Sequence, residues 1–237
     1  MKSHDYEKYA IEYTELGFEA GTYFLAFRVM PHLLQKYVNG KKALDYGCGS
    51  GRSTRFLKSL GFDTVGVDIS HDMLEQAQLK DTSGDYHHIQ SGQLLFDDLS
   101  FDLIFSSFVL LEVPSLDEIE KILAEMKRVL KQDGSIIIIT SPTESYQSNM
   151  VSFSYDFPEN KRTLQSGDTV KFLIQGTNII LYDYYWTEQD YEQAFNTVGL
   201  RIVEILKPLG QDDDPIEWLD EKHVSPWLIY ILDKGAL

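Results

Sequence analysis

Cysteine is nearly missing from this chain: Cys48 is the single one in 237 residues. One thiol excludes an intrachain disulfide, a multi-cysteine zinc site and a CxxC redox pair. Basic residues are scarce as well, 21 Lys and Arg against 37 Asp and Glu, which leaves a formal net charge of −16. With no Lys/Arg cluster as a local exception, the attraction behind nucleic-acid binding is lacking, and no nucleic-acid partner is expected. Long apolar runs are missing too. Stretches such as Pro226 to Leu232 fall far short of the roughly 18 to 20 residues a membrane span needs, and the opening MKSHDYEK has no apolar signal core. The expected location is therefore cytoplasmic, with no membrane partner. The six histidines (His4, His32, His71, His87, His88 and His223) show no H-x-x-x-H or carboxylate-linked spacing, so no metal is expected.

What is present is globular: 43% of residues are hydrophobic and 24% charged. A single domain over 1–237 can bury roughly 70 to 75% of the unfolded surface, so no staple is required. Internal repeats and low-complexity tracts are absent, and Asp212 to Pro215 reads as a solvated loop.

The apolar periodicity sets the order of elements. Residues 5–38 read as two helical pieces, the second from Thr22 to Tyr37, and residues 1–38 form an expected N-terminal cap. Strand and helix then alternate. Lys42 to Tyr46 is a short strand that opens through a glycine loop into a helix from Arg52 to Leu60, with Gly61 as its stop. A second strand, Phe62 to Asp68, leads to Ser70 as an N-cap and a helix to about Lys80. A weak third strand covers Tyr86 to Gln90, and a fourth, Phe101 to Ser106, is apolar throughout its centre. Ser115 and Glu118 form a capping box before a helix with Ile119, Ile122, Leu123, Met126 and Leu130 on one face, ended by Asp133-Gly134. Ser135 to Thr140 is the clearest strand. Residues 141–186 break the alternation as an expected insertion, with a hairpin of Thr169 to Gln175 and Ile179 to Trp186 around Gly176-Thr177-Asn178. A helix capped by Thr187 and Asp190 and stopped by Gly199, a strand from Leu200 to Leu206 and a last strand near Pro226 to Leu232 complete the order. This is an α/β chain with a doubly wound, mostly parallel seven-stranded sheet, and the insertion follows strand five.

Ligands of such sheets bind at the carboxyl ends of the strands. Gly47, Gly49 and Gly51 follow the first strand and let the backbone approach a ligand at a helix N-terminus. Their G-x-G-x-G spacing departs from the G-x-G-x-x-G nicotinamide fingerprint, and no Walker lysine follows. Asp45, two residues before Gly47, repels a pyrophosphate and attracts an ammonium. Asp68 ends the second strand, 21 residues after Gly47, where an acid accepts hydrogen bonds from a ribose diol. Adenosine carrying an amino-acid tail fits both carboxylates.

The run Leu44-Asp45-Tyr46-Gly47-Cys48-Gly49-Ser50-Gly51 closely resembles the nucleotide-loop motif of class I S-adenosylmethionine (SAM) dependent methyltransferases. Val65 to Asp68 is similar to their second-strand acidic motif. Ser91-Gly92-Gln93, Ser100 to Ile104 and Val109 to Pro114 match later motifs in order. The resemblance covers about residues 40 to 140 and implies a Rossmann-like fold with SAM as cofactor and S-adenosylhomocysteine as product. It places Asp45, Gly47, Cys48, Gly49 and Gly51 at the methionine end, Asp68 at the ribose hydroxyls, Gln93 at the adenine edge and Ser106 at the edge of the methyl-donor pocket, with Ile69 also among the cofactor-binding residues. Many members carry an acid where Gln93 stands and His where Glu112 stands. Buried Cys48 reads as packing, which disfavours thiolate-dependent base methylation.

The implied reaction is methyl transfer to O or N of a small-molecule acceptor. A non-catalytic SAM-binding regulator or partner subunit stays open as the alternative, and the oligomeric state is unassigned. The insertion's aromatics, including Tyr146, Phe153, Tyr155, Phe157 and Phe172, are placed to wall an acceptor pocket. The alternation of Tyr182, Tyr184 and Trp186 reads equally as a half-buried strand. Tyr6, Tyr9 and Tyr13 recur at helical spacing and are candidates to close over SAM. Because a sulfonium methyl is already electrophilic, a general base is needed only for a hydroxyl or a protonated amine, and Glu112, Tyr185 and His223 are the candidates.

Overall fold

Ile136 to Ile139 are four consecutive fully buried isoleucines. A strand sends alternate side chains to opposite faces, so such a run needs a covering layer on each side. In the computed structural model, which describes residues 21–235, Ile136 and Ile138 enter one core cluster and Ile137 and Ile139 the other. The strand that carries them, β5 (Leu130–Thr140), lies near the middle of a seven-stranded sheet.

On its amino-terminal side the sheet is parallel: β1 (Lys42–Tyr46), β2 (Asp63–Asp68), β3 (Asp85–His88) and β4 (Phe101–Ser107) join β5. The later strands β9 (Arg201–Leu206) and β10 (Leu228–Asp233) complete the order β3-β2-β1-β4-β5-β10-β9, with β10 antiparallel to both neighbours. The strand order therefore reverses between β1 and β4. A separate three-stranded sheet is formed by β6 (Phe153–Ser154), β7 (Thr169–Ile174) and β8 (Ile180–Tyr184).

Helices cover both faces. On one side, α1 (Tyr23–Tyr37) and α2 (Arg52–Ser59) bury Leu25, Met30, Leu33 and Leu57 against Leu103, Phe105 and Ile229. Phe172, Leu181 and Trp227 belong to that same cluster. The opposite face packs under α4 (Leu116–Val129) and α5 (Glu188–Thr197). The remaining helix, α3 (His71–Lys80), links β2 to β3. Caps set the starts: Ser70, Ser115 and Thr187 each accept the N3 amide, and Asp190 returns the bond to complete a capping box at α5. Among the described residues no helix is long and apolar enough to cross a membrane.

Boundaries shift by a residue or two at several elements. The expected capping box at Ser115 is half formed: Ser115 accepts the Glu118 amide, while the Glu118 carboxylate accepts from Ser91 Oγ instead of returning the bond. The expected end of α4 fails outright. Asp133-Gly134 does not end α4, and Leu130 is not on its face, because the strand begins at Leu130. Leu130 pairs with Phe101, and the Ser100 N–H bonds to Val129 O at 2.8 Å, so cross-strand bonding captures the chain one residue after the helix. Gly134 is needed for close approach instead, since a Cβ there would sit 2.7 Å from Leu130 Cδ1 and 3.0 Å from Asp102 O. The third strand covers Asp85–His88, two residues short of the expected end. The first helical piece, with Tyr6, Tyr9 and Tyr13, lies outside the described residues.

Asp102 ties three strands together. Its Oδ2 accepts from the Lys41 and Lys42 N–H groups at 3.1 and 3.0 Å, and Oδ1 accepts from Lys131 Nζ at 2.7 Å. Burial pushes its carboxyl up, but the Lys131 ammonium and those two amides outweigh burial and hold it below the usual carboxylate range. Asp102→Ala is expected to cost about 2 to 4 kcal/mol in urea unfolding at neutral pH. Because the folded pKa is lowered, this contribution is complete above the unfolded value of about 3.9 and fades as pH falls through the folded one. The gap between wild type and variant should therefore narrow on acidification below pH of about 4, and a gap independent of pH would contradict it.

Candidate functional site

The strand reversal between β1 and β4 opens a crevice at their carboxyl ends, and the loop after β1 is shaped for close approach. Gly47, Gly49 and Gly51 adopt φ of 74°, 52° and 73°, the left-handed region that favours glycine. A side chain at Gly47 would collide with Val109 Cγ2. The Gly47 and Cys48 amides both donate to Val67 O, at 2.8 and 3.0 Å, and fasten the loop to β2. Directly behind the loop, α2 points its N-terminus into the crevice.

Asp45 stands beneath this loop and is fully buried. Its Oδ2 accepts from Ser53 Oγ at 2.7 Å and Thr54 Oγ1 at 2.6 Å, both in the first turn of α2. Oδ1 has no partner. Burial pushes the carboxyl up to about 6, with the Thr54 and Ser53 hydroxyls pulling it down and the nearby Asp68 charge adding to the rise. Asp68 is only partly buried. Its Oδ2 accepts from the Gly49 N–H at 2.7 Å and Oδ1 from the Ser70 N–H at 2.8 Å, so it orders the loop and retains acceptor capacity on both oxygens. Burial raises its carboxyl as well, against the Ser70 and Gly49 amides.

The other candidates differ in their exposure and partners. Ile69 is 61% exposed, and its carbonyl lies 3.0 Å from His88 Nε2. Cys48 is buried, and burial raises its thiol well above the ordinary range, leaving no thiolate to act as a nucleophile. Gln93 is exposed in a loop anchored on both sides: the Gly92 N–H donates to Tyr46 Oη at 3.1 Å and the Leu94 N–H to Glu125 Oε2 at 3.0 Å. Ser106 is fully buried at the end of β4 with an unpartnered Oγ.

Two residues on, Phe108 holds a φ of 63°, a strained conformation for an aromatic residue. That turn lets Val109 meet Gly47 while the Phe108 ring packs 4.4 Å from Trp227 and 5.3 Å from Tyr23. Phe108, Tyr23, Trp227, Phe153, Tyr155 and Phe172 line a cavity of about 20 Å³. Asp183 also reaches this cavity. A larger groove of about 770 Å³ shares Phe153 and Tyr155 with it and adds Tyr146 and Tyr185. Of the three base candidates, Tyr185 lines the groove, Glu112 sits half-buried at the end of the short turn Leu110–Glu112, and His223 is exposed and lines neither space. Among the described residues no group of three or more His, Cys, Asp or Glu is arranged to hold a metal.

The buried side of β8 is the reverse of the expected one. Tyr182 is 39% exposed, whereas Leu181 and Asp183 are buried. The register explains this: Leu181 lies opposite Phe172 and Asp183 opposite Val170, both buried on β7, and cross-strand partners share a face. Asp183 thus went unnoticed in the sequence, as did Phe108 and Trp227. The signal was an acid alternating with Leu181, outvoted by three more conspicuous aromatics. Trp186 is structural, its Nε1 donating to Val113 O at 3.0 Å.

A seven-stranded sheet of this order with a glycine loop framed by two acids defines a class of proteins, and comparison with known proteins agrees. A methyltransferase-domain family profile matches residues 44–138. The N-demethylindolmycin N-methyltransferase of Streptomyces griseus is 26% identical over 221 residues, covering 90% of this chain and 92% of that protein. An uncharacterized protein of Methanocaldococcus jannaschii is 31% identical over 187 residues, 79% of this chain and 78% of its own. The chain spans only 41 to 48% of the malonyl-[acyl-carrier protein] and demethylmenaquinone methyltransferases it also matches. In fold, an S-adenosylmethionine-dependent methyltransferase from Clostridium acetobutylicum superposes with a TM-score of 0.66 at 18% identity, covering 98% of this chain and 96% of that one. The chain belongs to the class I SAM-dependent methyltransferase family; it is a methyltransferase enzyme with SAM as its cofactor.

The raised carboxyl of Asp45 has a measurable consequence. Between the unfolded pKa of about 3.9 and the folded value the native state binds the extra proton, so this residue's contribution is present at low pH and is lost as pH rises through about 6. Without ligand, the stability difference between Asp45→Asn and wild type should move in favour of the variant by about 1 to 3 kcal/mol from pH 4 to pH 7. Chemical denaturation across that range checks it, and a pH-independent difference would contradict the assignment.

Proposed function

We propose that this enzyme transfers the methyl group of SAM to an oxygen or nitrogen of a small-molecule acceptor, with Asp45 and Asp68 framing the cofactor. The observation that carries the cofactor placement is the buried, unpartnered Asp45 Oδ1 beneath a loop of left-handed glycines. An uncompensated buried carboxylate oxygen is costly, and a ligand ammonium satisfies it. In this reading the loop backbone and Asp45 hold the methionine end, Asp68 accepts from the ribose hydroxyls, and exposed Ile69 packs against the nucleoside. Gln93 serves the adenine edge from its anchored loop. Ser106 stands at the methyl-donor end. When bound, SAM supplies a methyl on a sulfonium, so the protein's task is to align donor and acceptor and keep water out.

The acceptor space favoured by the geometry is the aromatic cavity and its neighbouring groove, at the carboxyl ends of β4 and β5 where Phe108 and Ser141 leave the sheet. Residues 141–186 supply most of the lining and, in this reading, act as the acceptor-covering insertion. A small-molecule acceptor also agrees with relatives whose names specify N-methylation or O-methylation of small or carrier-bound substrates. Among the described residues no Lys, Arg or His lines the smaller cavity. General-base help from Glu112, Tyr185 or His223 would have to reach the acceptor from outside it.

Differential scanning fluorimetry tests the cofactor assignment: SAM and S-adenosylhomocysteine should raise the melting temperature, and NAD and ATP should not. Asp68→Ala is expected to weaken SAM binding by about 1 to 3 kcal/mol, roughly tenfold or more, because a buried ribose diol loses its acceptor. An unchanged calorimetric Kd would remove Asp68 from the site.

A further inference from the structure

Among the described acids away from the glycine loop, Asp183 is buried with an unpartnered oxygen. It is 3% exposed on the inward face of β8, inside the second sheet. Oδ2 accepts from Tyr146 Oη at 3.2 Å, and Oδ1 has no partner among the described residues. The titratable groups around it are the phenols of Tyr146, Tyr155 and Tyr191, with Glu221 acting on Tyr155. Among the described residues the nearest cations stand behind or beyond the cavity wall: the Arg52 guanidinium lies 4.8 Å from the centre of the Tyr23 ring, and Lys161 and Arg162 line the neighbouring groove. Burial pushes its carboxyl up to about 8, against the Tyr146 hydrogen bond. A buried acid with one weak partner costs stability, and packing alone would have favoured an apolar residue.

What surrounds the carboxyl indicates what completes it. The cavity it lines is walled by Tyr23, Phe108, Phe153, Tyr155, Phe172 and Trp227. Aromatic rings carry negative electrostatic faces that attract a desolvated cation. At about 20 Å³ the cavity holds one water-sized group, the scale of an amine head, while the body of a molecule can continue past Phe153 and Tyr155 into the larger groove. The cavity also adjoins the cofactor loop in the chain: Phe108 lines it and the next residue, Val109, touches Gly47.

We propose that the acceptor is an amine whose ammonium head docks in this aromatic cavity against Asp183. The inference rests on the methyltransfer reading above and narrows it from oxygen or nitrogen to nitrogen. Asp183 would do two things. Ionised, it pairs with the incoming ammonium, supplying Oδ1 with its missing donor. It then takes one N–H proton from that ammonium, forming a neutral carboxylic acid and freeing the nitrogen lone pair for attack. A site whose carboxyl is easily protonated favours that second step, since the neutral acid is tolerated in the apolar surroundings.

The test uses the full chain saturated with S-adenosylhomocysteine and two probes of the same shape, N-methylbenzylamine and benzyl methyl ether, titrated by calorimetry at pH of about 8.5, where the free acid is mostly ionised. The expected result is amine affinity at least about tenfold above the ether in the wild type, with that preference lost in Asp183→Asn. Asp183→Asn keeps the shape and removes a buried charge, so it should melt no lower than wild type and bind S-adenosylhomocysteine unchanged. Phe172→Leu, which leaves the carboxyl in place, should lower amine affinity by about threefold to tenfold with little effect on the ether. An amine preference that survives in Asp183→Asn, or no preference in the wild type, including no binding of either probe, overturns the proposal. Loss of S-adenosylhomocysteine binding by the wild type is a different failure and strikes the cofactor assignment instead.

Discussion

The site depends on a carboxylate whose charge the fold satisfies only by half. Asp45 lies at the end of β1 with no solvent access, and α2 contributes two hydroxyls to one oxygen and nothing to the other. Those two bonds also fix α2 relative to the strand, so the same contact that holds the acid aims the helix N-terminus and sets the height of the glycine loop. Asp68 completes the arrangement from β2 through the Gly49 amide. The loop is thus held from below by one acid and from the side by another, and its shape survives without ligand because its own backbone amides are spent on Val67 O and Asp68. A phosphate would have to compete with those bonds and with two negative charges. A zwitterion with a cationic end would not.

The sheet half of the fold was legible because its signals are local and redundant. Four isoleucines in a row, glycines at the turns and Ser or Thr three residues before an acid each point to an element without knowledge of the rest. The placing of Asp45 and Asp68 about the glycine loop was legible for a related reason, since strand, loop and helix are contiguous and spacing along the chain stands for spacing in space. The exit from α4 was misread because Asp133-Gly134 is a strong stop signal. The decision is made instead by hydrogen bonds from Ser100 to Val129 and by Leu130 pairing with Phe101, about thirty residues away in sequence.

The aromatic cavity was the less legible half, for a physical reason. Its walls come from α1, the turn after β4, all three strands of the small sheet and the approach to β10, so no stretch of sequence contains more than a fraction of it. The face of β8 depends on its register with β7, and a shift of one residue would have buried Tyr182 and exposed Asp183. Phe108 was equally hidden, since nothing in Ser106-Ser107-Phe108-Val109 announces a left-handed aromatic residue. Such strain persists only where its surroundings over-determine it, here the hydrogen bond of its N–H to Ile139 O and the packing of its ring on Trp227 and Tyr23.

Among the described residues six buried side-chain atoms lack a hydrogen-bond partner, and their distribution is informative: three are hydroxyls of Thr22, Thr64 and Tyr230, and the other three belong to Asp45, Ser106 and Asp183. A lone hydroxyl is a modest cost that a tight core absorbs, but an ionisable oxygen is far more expensive to strand. The two acids lie on opposite sides of one short path. Asp45 is beneath the glycine loop, Ser106 is on the adjacent strand β4, and the turn after it carries Val109 to the loop and Phe108 to the cavity where Asp183 waits. Had these oxygens been scattered, each would call for its own account. Two of them stand on adjacent strands of the main sheet and the third on the small sheet beside the turn after β4, so the proposed cofactor and acceptor, bound as a pair, would complete all three.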